Sequence, residues 1–504
     1  MSLAKIYTRA QLGIEAPLVQ VEVHLSGGLP SLSLVGLPEA AVKESKDRVR
    51  SAILNSHFEF PAKRITINLS PADLPKEGGR YDLAIALGIL AASGQIPDQR
   101  LEEFEFVGEL ALSGELQPVS GILPTTLQAT RHGHGLVIPL GNAEEASLCR
   151  EARALAAPSL TAVTAWLHGQ QQLPLVEPFA PAVTELSRPG DLADVKGQPQ
   201  ARRALEIAAA GKHNLLFIGP PGTGKTMLAS RLPGILPPMT EDEALESASV
   251  SSVSHHSGDW RRRWGQRPFR APHHTASGVA LVGGGGNPKP GEISLAHGGV
   301  LFLDELPEYS RKVLDVLREP LESGEIVISR ANRSVTYPSR FQLIAAMNPC
   351  PCGYFGDASG RCQCSPDQVR RYQGQTSGPL LDRIDLHVAV PPMPPALLQQ
   401  APPSEPSAPV QARVIRAREQ QLARQGCANG ELSGGLRDRV CALHADDERW
   451  FLDMIERLNL SARSFHRLLT VARTIADLCG EEQIARVHLM EAAGFRALDR
   501  YRSG

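Results

Sequence analysis

The sequence predicts an α/β chain of three domains: an α+β N-terminal domain, a parallel α/β core built on a phosphate loop, and a helical C-terminal domain. Three observations lead there. The chain has 504 residues, and a domain averages roughly 150. Two Pro-rich stretches, Leu173 to Val183 and Pro391 to Pro409, can continue neither a helix nor a central strand and read as linkers. They separate residues 1–175, 186–395 and 411–504. In the middle piece, apolar strands alternate with helices, the pattern of a parallel sheet covered on both faces.

Composition narrows the function classes. Apolar residues make up 42% of the chain, charged residues 21% and aromatics 5%, which excludes a disordered chain or a coiled-coil rod. Lys plus Arg number 52 against 54 Asp plus Glu, so a uniformly basic nucleic-acid coat is excluded and only a local basic patch is left open. The longest apolar run, Leu83 to Ala92, is too short to span a bilayer. The first residues lack the apolar core of a signal peptide, and eight cysteines are too few for a disulfide scaffold. A soluble, cytoplasmic chain without a membrane partner is expected.

In the N-terminal piece, residues 18–26 (LVQVEVHLS) and 64–70 (RITINLS) alternate with the period of strands. EAAVKESKDRVRSAILNS and YDLAIALGILAASG carry helical spacing. In the middle piece, Gly219-Pro220-Pro221-Gly222-Thr223-Gly224-Lys225-Thr226 fits G-x-x-x-x-G-K-[ST], follows the strand NLLFI and precedes the helix MLASRL. Glycines there let backbone N–H groups curl around phosphate oxygens at a helix N-terminus. Lys225 is then expected on the β- and γ-phosphates of ATP, with Thr226 on Mg²⁺. Val300 to Leu303 form an apolar strand that ends in Asp304 and Glu305. A carboxylate at that end of a parallel strand can hold Mg²⁺, which assigns Asp304 to the metal and Glu305 to the attacking water.

These residues, in this order, resemble the AAA+ family of ATPases. The resemblance implies that Asn348, at the end of FQLIAAMN, positions the lytic water as the sensor-1 residue. The segment Gly378 to Leu386 is similar to the arginine-finger segment of the magnesium-chelatase and MCM branch, which implies that Arg383 reaches a neighbouring subunit's ATP. Ser461-Ala462-Arg463-Ser464, in the Arg- and Leu-rich helical C-terminal piece, looks like the sensor-2 segment of the lid, with Arg463 facing the γ-phosphate and Arg467 as the alternative. The N-terminal runs Pro75 to Asp82 and Val107 to Gly121 look like the proteolytic domain of Lon, which has the ribosomal S5 domain 2-like fold. That domain's Ser nucleophile and Lys base fall at Arg80 and near Leu123, neither of which can serve, so protease activity is expected to be absent.

A Lon-protease-like domain, a magnesium-chelatase-type AAA+ core and a helical lid together resemble the ComM/YifB group of Mg-chelatase-like proteins along nearly the whole chain. The resemblance implies a homo-hexameric, ATP-driven DNA motor that acts on single-stranded and branched DNA and promotes branch migration of recombination intermediates in natural transformation. The rival is a chelatase-like ATPase that drives metal insertion or remodels a protein partner.

Two insertions bear on DNA. EIVIS and SVTYP read as a hairpin with Arg330 and Arg333 at its turn, where two guanidinium groups would meet phosphates whatever the base sequence; a solvated hairpin is the plain alternative. Upstream, Gly283 to Gly286 suggest a mobile loop to which Arg270 and Lys289 supply charge, and the adjacent His273 and His274 would diverge rather than share a metal. Arg261 to Arg263, between Trp260 and Trp264, are a second DNA candidate or a solvated charge run. Cys350, Cys352, Cys362 and Cys364 form two C-x-C pairs able to wrap a tetrahedral Zn²⁺, with unligated thiols as the alternative. Cys149, Cys427, Cys441 and Cys479 read as small core residues.

Overall fold

Strands and helices of the chain sort into two compact units in this computed structural model, one of Met1–Thr184 with Glu241–Trp264 and one of Glu185–Thr240 with Gly265–Gly504. The structure describes residues 3–36, 40–180, 190–254, 260–286, 288–330, 333–356, 360–394, 404–457 and 460–496.

The first unit is built on a seven-stranded mixed sheet. Leu18–Ser26 pairs antiparallel with both Leu3–Arg9 and Arg64–Ser70, and its alternating residues Val19, Val21, Val23 and Leu25 are buried, as the period of two requires. Phe104–Phe106, Gly135–Pro139 and Ala154–Ala157 extend the sheet in parallel. After its first residue, Asp82, the helix Asp82–Ala92 is apolar all round, and it is buried along its whole length, so it forms the centre of this unit's core. The first Pro-rich stretch does not hang free over its described part. Val176 N–H donates to the Ala154 carbonyl and Phe179 N–H to that of Ser147, which lays the stretch along the unit.

Residues 241–264, which lie in the middle of the sequence, also belong to this unit. Helix Glu241–Ser252 places Leu245 and Ala248 on Leu123, Leu148 and Cys149. The Ser252 hydroxyl donates to Glu145, and the Gly121 N–H to the Ser252 carbonyl. Trp264 meets Phe179 edge to face, with ring centroids 6.4 Å apart. The Trp260–Trp264 stretch is thus partly spent on apolar packing, with Arg262 and Arg263 exposed.

The second unit carries a five-stranded sheet in the order Phe269–Arg270, Val300–Leu303, Gln342–Met347, Leu215–Ile218, Leu386–Ala389. All four pairings are parallel. The inner strands are continuously buried apolar runs, as a sheet covered on both faces demands. Helices Ser407–Gln425, Ala445–Arg457 and Ala462–Cys479 share this core through Val414, Phe451, Val471 and Ile475. Among the described residues, no helix is long and apolar enough to cross a membrane.

Candidate functional site

The strand Leu215–Ile218 runs straight into the glycine loop and then into the helix Lys225–Arg231. Gly224 caps that helix at φ 88, a left-handed conformation that a side chain would strain. At Gly219 a Cβ would meet the Val390 carbonyl oxygen at 2.2 Å, so the loop lies against its neighbour strand's end only because glycine stands there.

Lys225 turns its ammonium into the loop, where it donates to the carbonyls of Gly219 (2.8 Å) and Pro220 (2.9 Å) and to Asn348 Oδ1 (3.2 Å). Burial lowers this ammonium below the usual lysine range, opposed by the Asp304 and Glu305 carboxylates. Thr226 Oγ1 donates to Asp304 Oδ2 at 2.6 Å, so the two residues assigned to Mg²⁺ touch. A hydroxyl, a carboxylate and an exposed loop of N–H groups are a hard-oxygen, anion-seeking donor set, the chemistry that suits Mg²⁺ and a nucleotide phosphate.

Glu305 is a non-glycine residue at φ 52, and such strain at a strand end aims a side chain. Its carboxylate lies 3.0 Å from His274 Nδ1, and the His274 ring meets Tyr309 edge to face at 6.4 Å. Tyr309 in turn donates to the Pro272 carbonyl at 2.6 Å. His274 therefore joins the acid pair, a role the sequence did not reveal. The expectation that His273 and His274 diverge needs correction, since their rings lie 4.1 Å apart. Their partners do differ, His273 meeting Thr275 Oγ1 at 2.9 Å.

Arg383 follows the short helix Gly378–Leu381 and is only 8% exposed. It donates to the Pro379 carbonyl (2.7 Å) and to Glu322 Oε1 (2.5 Å). Arg463, on the first turn of Ala462–Cys479, reaches the same Glu322 oxygen at 3.5 Å. Arg467 is committed elsewhere, to Asp385 Oδ1 at 2.6 Å. Burial would raise the Asp385 carboxyl, but the Arg467 charge, His213 and the Asn214 N–H outweigh it and hold it well below the usual carboxylate range. Arg467, the alternative to Arg463, is held in this structure by the buried Asp385 carboxylate.

The hairpin pairs Glu325–Arg330 with Arg333–Pro338 in antiparallel register, Arg330 opposite Arg333 at the tip. The side chains of both arginines lie outside the described residues. The hairpin buries Ile326, Ile328, Val335 and Tyr337, and Tyr337 donates to the Pro288 carbonyl at 2.8 Å. The glycine run is no loose loop where it is described. Gly283 and Gly284 pair with Pro290 and Lys289, and a Cβ on Gly283 would meet the Lys289 carbonyl at 2.1 Å. Arg270 is not free charge either, since it grips Glu292 through two 2.6 Å contacts.

The sulfurs of Cys350, Cys352, Cys362 and Cys364 lie within 4.8 Å of one another. Three separations are 3.3, 3.6 and 3.8 Å. Sulfurs bound to one Zn²⁺ at tetrahedral corners sit about 3.8 Å apart, so four soft thiolates in this cluster fit that ion. The knuckle abuts the phosphate loop, for a Cβ on Gly353 would meet Pro221 Cδ at 2.6 Å. Of the other cysteines, Cys149 and Cys441 are buried, Cys427 is half-buried and Cys479 is exposed, contrary to its reading as core.

Arg80 is buried in the first unit and donates to Thr125 Oγ1 (2.9 Å) and Gln11 Oε1 (3.2 Å), while Leu123 is wholly buried. Both residues do packing work there.

Residues 191–398 match the family described as magnesium chelatase, subunit ChlI. Residues 21–142 match subunit ChlI of Mg-chelatase, and residues 404–496 match the magnesium chelatase subunit ChlI C-terminal family. The chain is 54% identical to competence protein ComM of Haemophilus influenzae over 504 residues, covering 99% of this chain and 98% of that protein. It is 54% identical over 501 residues to YifB of Salmonella typhimurium, with the same coverage. A magnesium-chelatase 38 kDa subunit of Rhodobacter capsulatus is 29% identical over 174 residues, 31% of this chain and 49% of that subunit.

Proposed function

Because the chain belongs to the ComM/YifB family of magnesium-chelatase-like proteins, whose ChlI-type domains are AAA+-type ATPases using ATP and Mg²⁺, we propose that it is a ring-forming, ATP-hydrolysing DNA motor. On this reading six copies assemble around single-stranded or branched DNA and drive branch migration of recombination intermediates in natural transformation. One observation carries it: the glycine loop brings together two hydrogen-bonded pairs, Lys225 with Asn348 and Thr226 with Asp304, in a chain whose core also carries an inserted hairpin with two arginines at its turn. Lys225 and the loop N–H groups bind the phosphates of ATP, and Thr226 and Asp304 hold Mg²⁺, which neutralises phosphate charge when bound. Glu305 orients and deprotonates the attacking water, and Asn348 fixes its line of approach. Arg383 and Arg463 converge on one carboxylate oxygen, which supports a joint role on one phosphate of a neighbouring copy.

The first unit is read as a Lon-protease-like domain without proteolysis, since Arg80 and Leu123 are bound into its packing. The chelatase matches favour a second reading, an ATPase that drives metal insertion or remodels a protein partner. The 54% identity to a competence protein along the whole chain, against 29% over 31% of it for a chelatase subunit, supports the DNA reading.

The hairpin tests the DNA partner. An Arg330→Ala/Arg333→Ala chain should bind every DNA sequence more weakly and flatten the salt dependence of binding by about two per engaged subunit. Its DNA-free hydrolysis should stay at the parent rate. Parent-like affinity and slope, measured by fluorescence anisotropy across a salt series, would take the hairpin out of the DNA path.

The four cysteines are read as a structural Zn²⁺ site. Elemental analysis of the purified chain should find about one zinc per chain, and Cys352→Ser/Cys362→Ser should lose it. Because the knuckle abuts Pro221, ATP affinity should fall with the metal. A parent chain that holds no zinc after purification without chelator would leave these residues as plain thiols.

A further inference from the structure

We propose that Glu322 is a positioning residue that withholds Arg383 and Arg463 from a neighbouring copy's nucleotide until the hairpin engages DNA. The inference rests on the motor reading and adds a route by which DNA is sensed at the nucleotide.

An arginine that serves another copy must present its guanidinium outward. Arg383 does not, for it is 8% exposed and tied by one Nη to its own Pro379 carbonyl and by the other to Glu322. Its Nε has no partner among the described residues, so the buried group is under-satisfied where it sits. A phosphate with several oxygens would satisfy it better than this single contact. Arg463 leans on the same Glu322 oxygen from the C-terminal helices. Glu322 is thus a stand-in anion shared by both arginines, and it is 54% exposed, so the pair can open without unpacking a core.

Glu322 also stands at the foot of the hairpin. It lies in the short helix Pro320–Ser323, which ends at Gly324 and passes at once into the strand Glu325–Arg330. The joint is stiff. Ser323 Oγ donates to the Glu325 carbonyl at 2.9 Å and accepts from the Glu325 N–H at 3.2 Å, and Ser339 N–H at the far strand's end donates to the Gly324 carbonyl. A second tie joins the same region to the arginine segment, Arg318 donating at 2.9 Å to Ser377, which caps the helix before Arg383. A hairpin that tilts under a DNA load turns Glu322 with it through this joint, while the Arg318–Ser377 tie keeps the arginine segment on the turn before it, so Glu322 shifts relative to Arg383. Glu322, the half-exposed partner, can swing into water, and a phosphate taking its place keeps the buried Arg383 guanidinium paired, so the exchange leaves no buried charge alone.

The test is steady-state hydrolysis by the full chain, with and without forked DNA, in Glu322→Gln, Glu322→Asp and Arg383→Ala chains whose ring assembly and thermal unfolding match the parent. Glu322→Gln should raise the DNA-free kcat by about fivefold, the upper reach of such a pair, and leave the DNA-stimulated rate unchanged. The stimulation ratio then falls towards one. Glu322→Asp, which keeps the charge, should restore the parent ratio, and adding Arg383→Ala to Glu322→Gln should erase the gain. If Glu322→Gln leaves the ratio at the parent value while Arg383→Ala alone abolishes hydrolysis, the withholding role is overturned and the arginine assignment stands. If Arg383→Ala hydrolyses ATP like the parent, both are overturned.

Discussion

Glu305→Gln is expected to bind ATP with parent affinity and to lose turnover by about a hundredfold or more, the usual contribution of a positioned general base. The exchange keeps size and hydrogen-bonding shape but removes the charge that polarises water. Lys225→Ala should fail earlier, at binding, because its ammonium lies inside the glycine loop, 2.8 and 2.9 Å from the loop's own carbonyls. Its loss would take away the charge proposed to meet the β- and γ-phosphates and leave a buried hole in the loop. Nucleotide binding by fluorescent ATP analogue and turnover by phosphate release separate the two defects. Unchanged kcat in Glu305→Gln would move the base to another residue.

The second large effect concerns Arg383. An arginine that stabilises the transferring phosphoryl group contributes roughly 10³ to 10⁵ in rate, so Arg383→Ala should be nearly dead although ATP still binds. Lys225→Ala should be dead for a different reason, in its own loop. If Arg383 acts across an interface, mixing the two inactive chains should recover part of the activity. Each mixed ring then contains interfaces where an intact loop faces an intact arginine. A mixture that stays inactive while mixed rings are shown to form would place Arg383 at its own chain's nucleotide.

The parts of this site that were readable in sequence are those made from contiguous residues. Gly219 to Thr226 fold locally, because strand, loop and helix follow one another without a distant partner. The strands Leu18–Ser26 and Arg64–Ser70 were legible through alternation alone. Long-range pairings were not. His274 meets Glu305 across 31 positions because Phe269–Arg270 and Val300–Leu303 are parallel neighbours, a fact of sheet order that no local pattern encodes. Glu322 looks like any exposed acid until two arginines from distant segments close on it. The glycine run suggested mobility because composition cannot report enclosure, and Gly283 proves to be hemmed in by backbone. Helix Glu241–Ser252 read as part of the middle piece because it interrupts that piece in sequence, yet its apolar face meets Leu123 and Leu148.

If hydrolysis at Lys225, Asp304 and Glu305 serves DNA, as proposed, then branched DNA must be felt at the nucleotide. The most direct measurement is ATP turnover by the purified chain as forked or four-way DNA is titrated in, with strand exchange of a labelled junction followed in the same tubes. Branched DNA should raise kcat, junctions should migrate only with hydrolysable ATP, and Glu305→Gln should stop both. Turnover indifferent to every DNA, in a chain that forms rings and hydrolyses ATP, would contradict it and favour the metal-insertion or protein-remodelling reading.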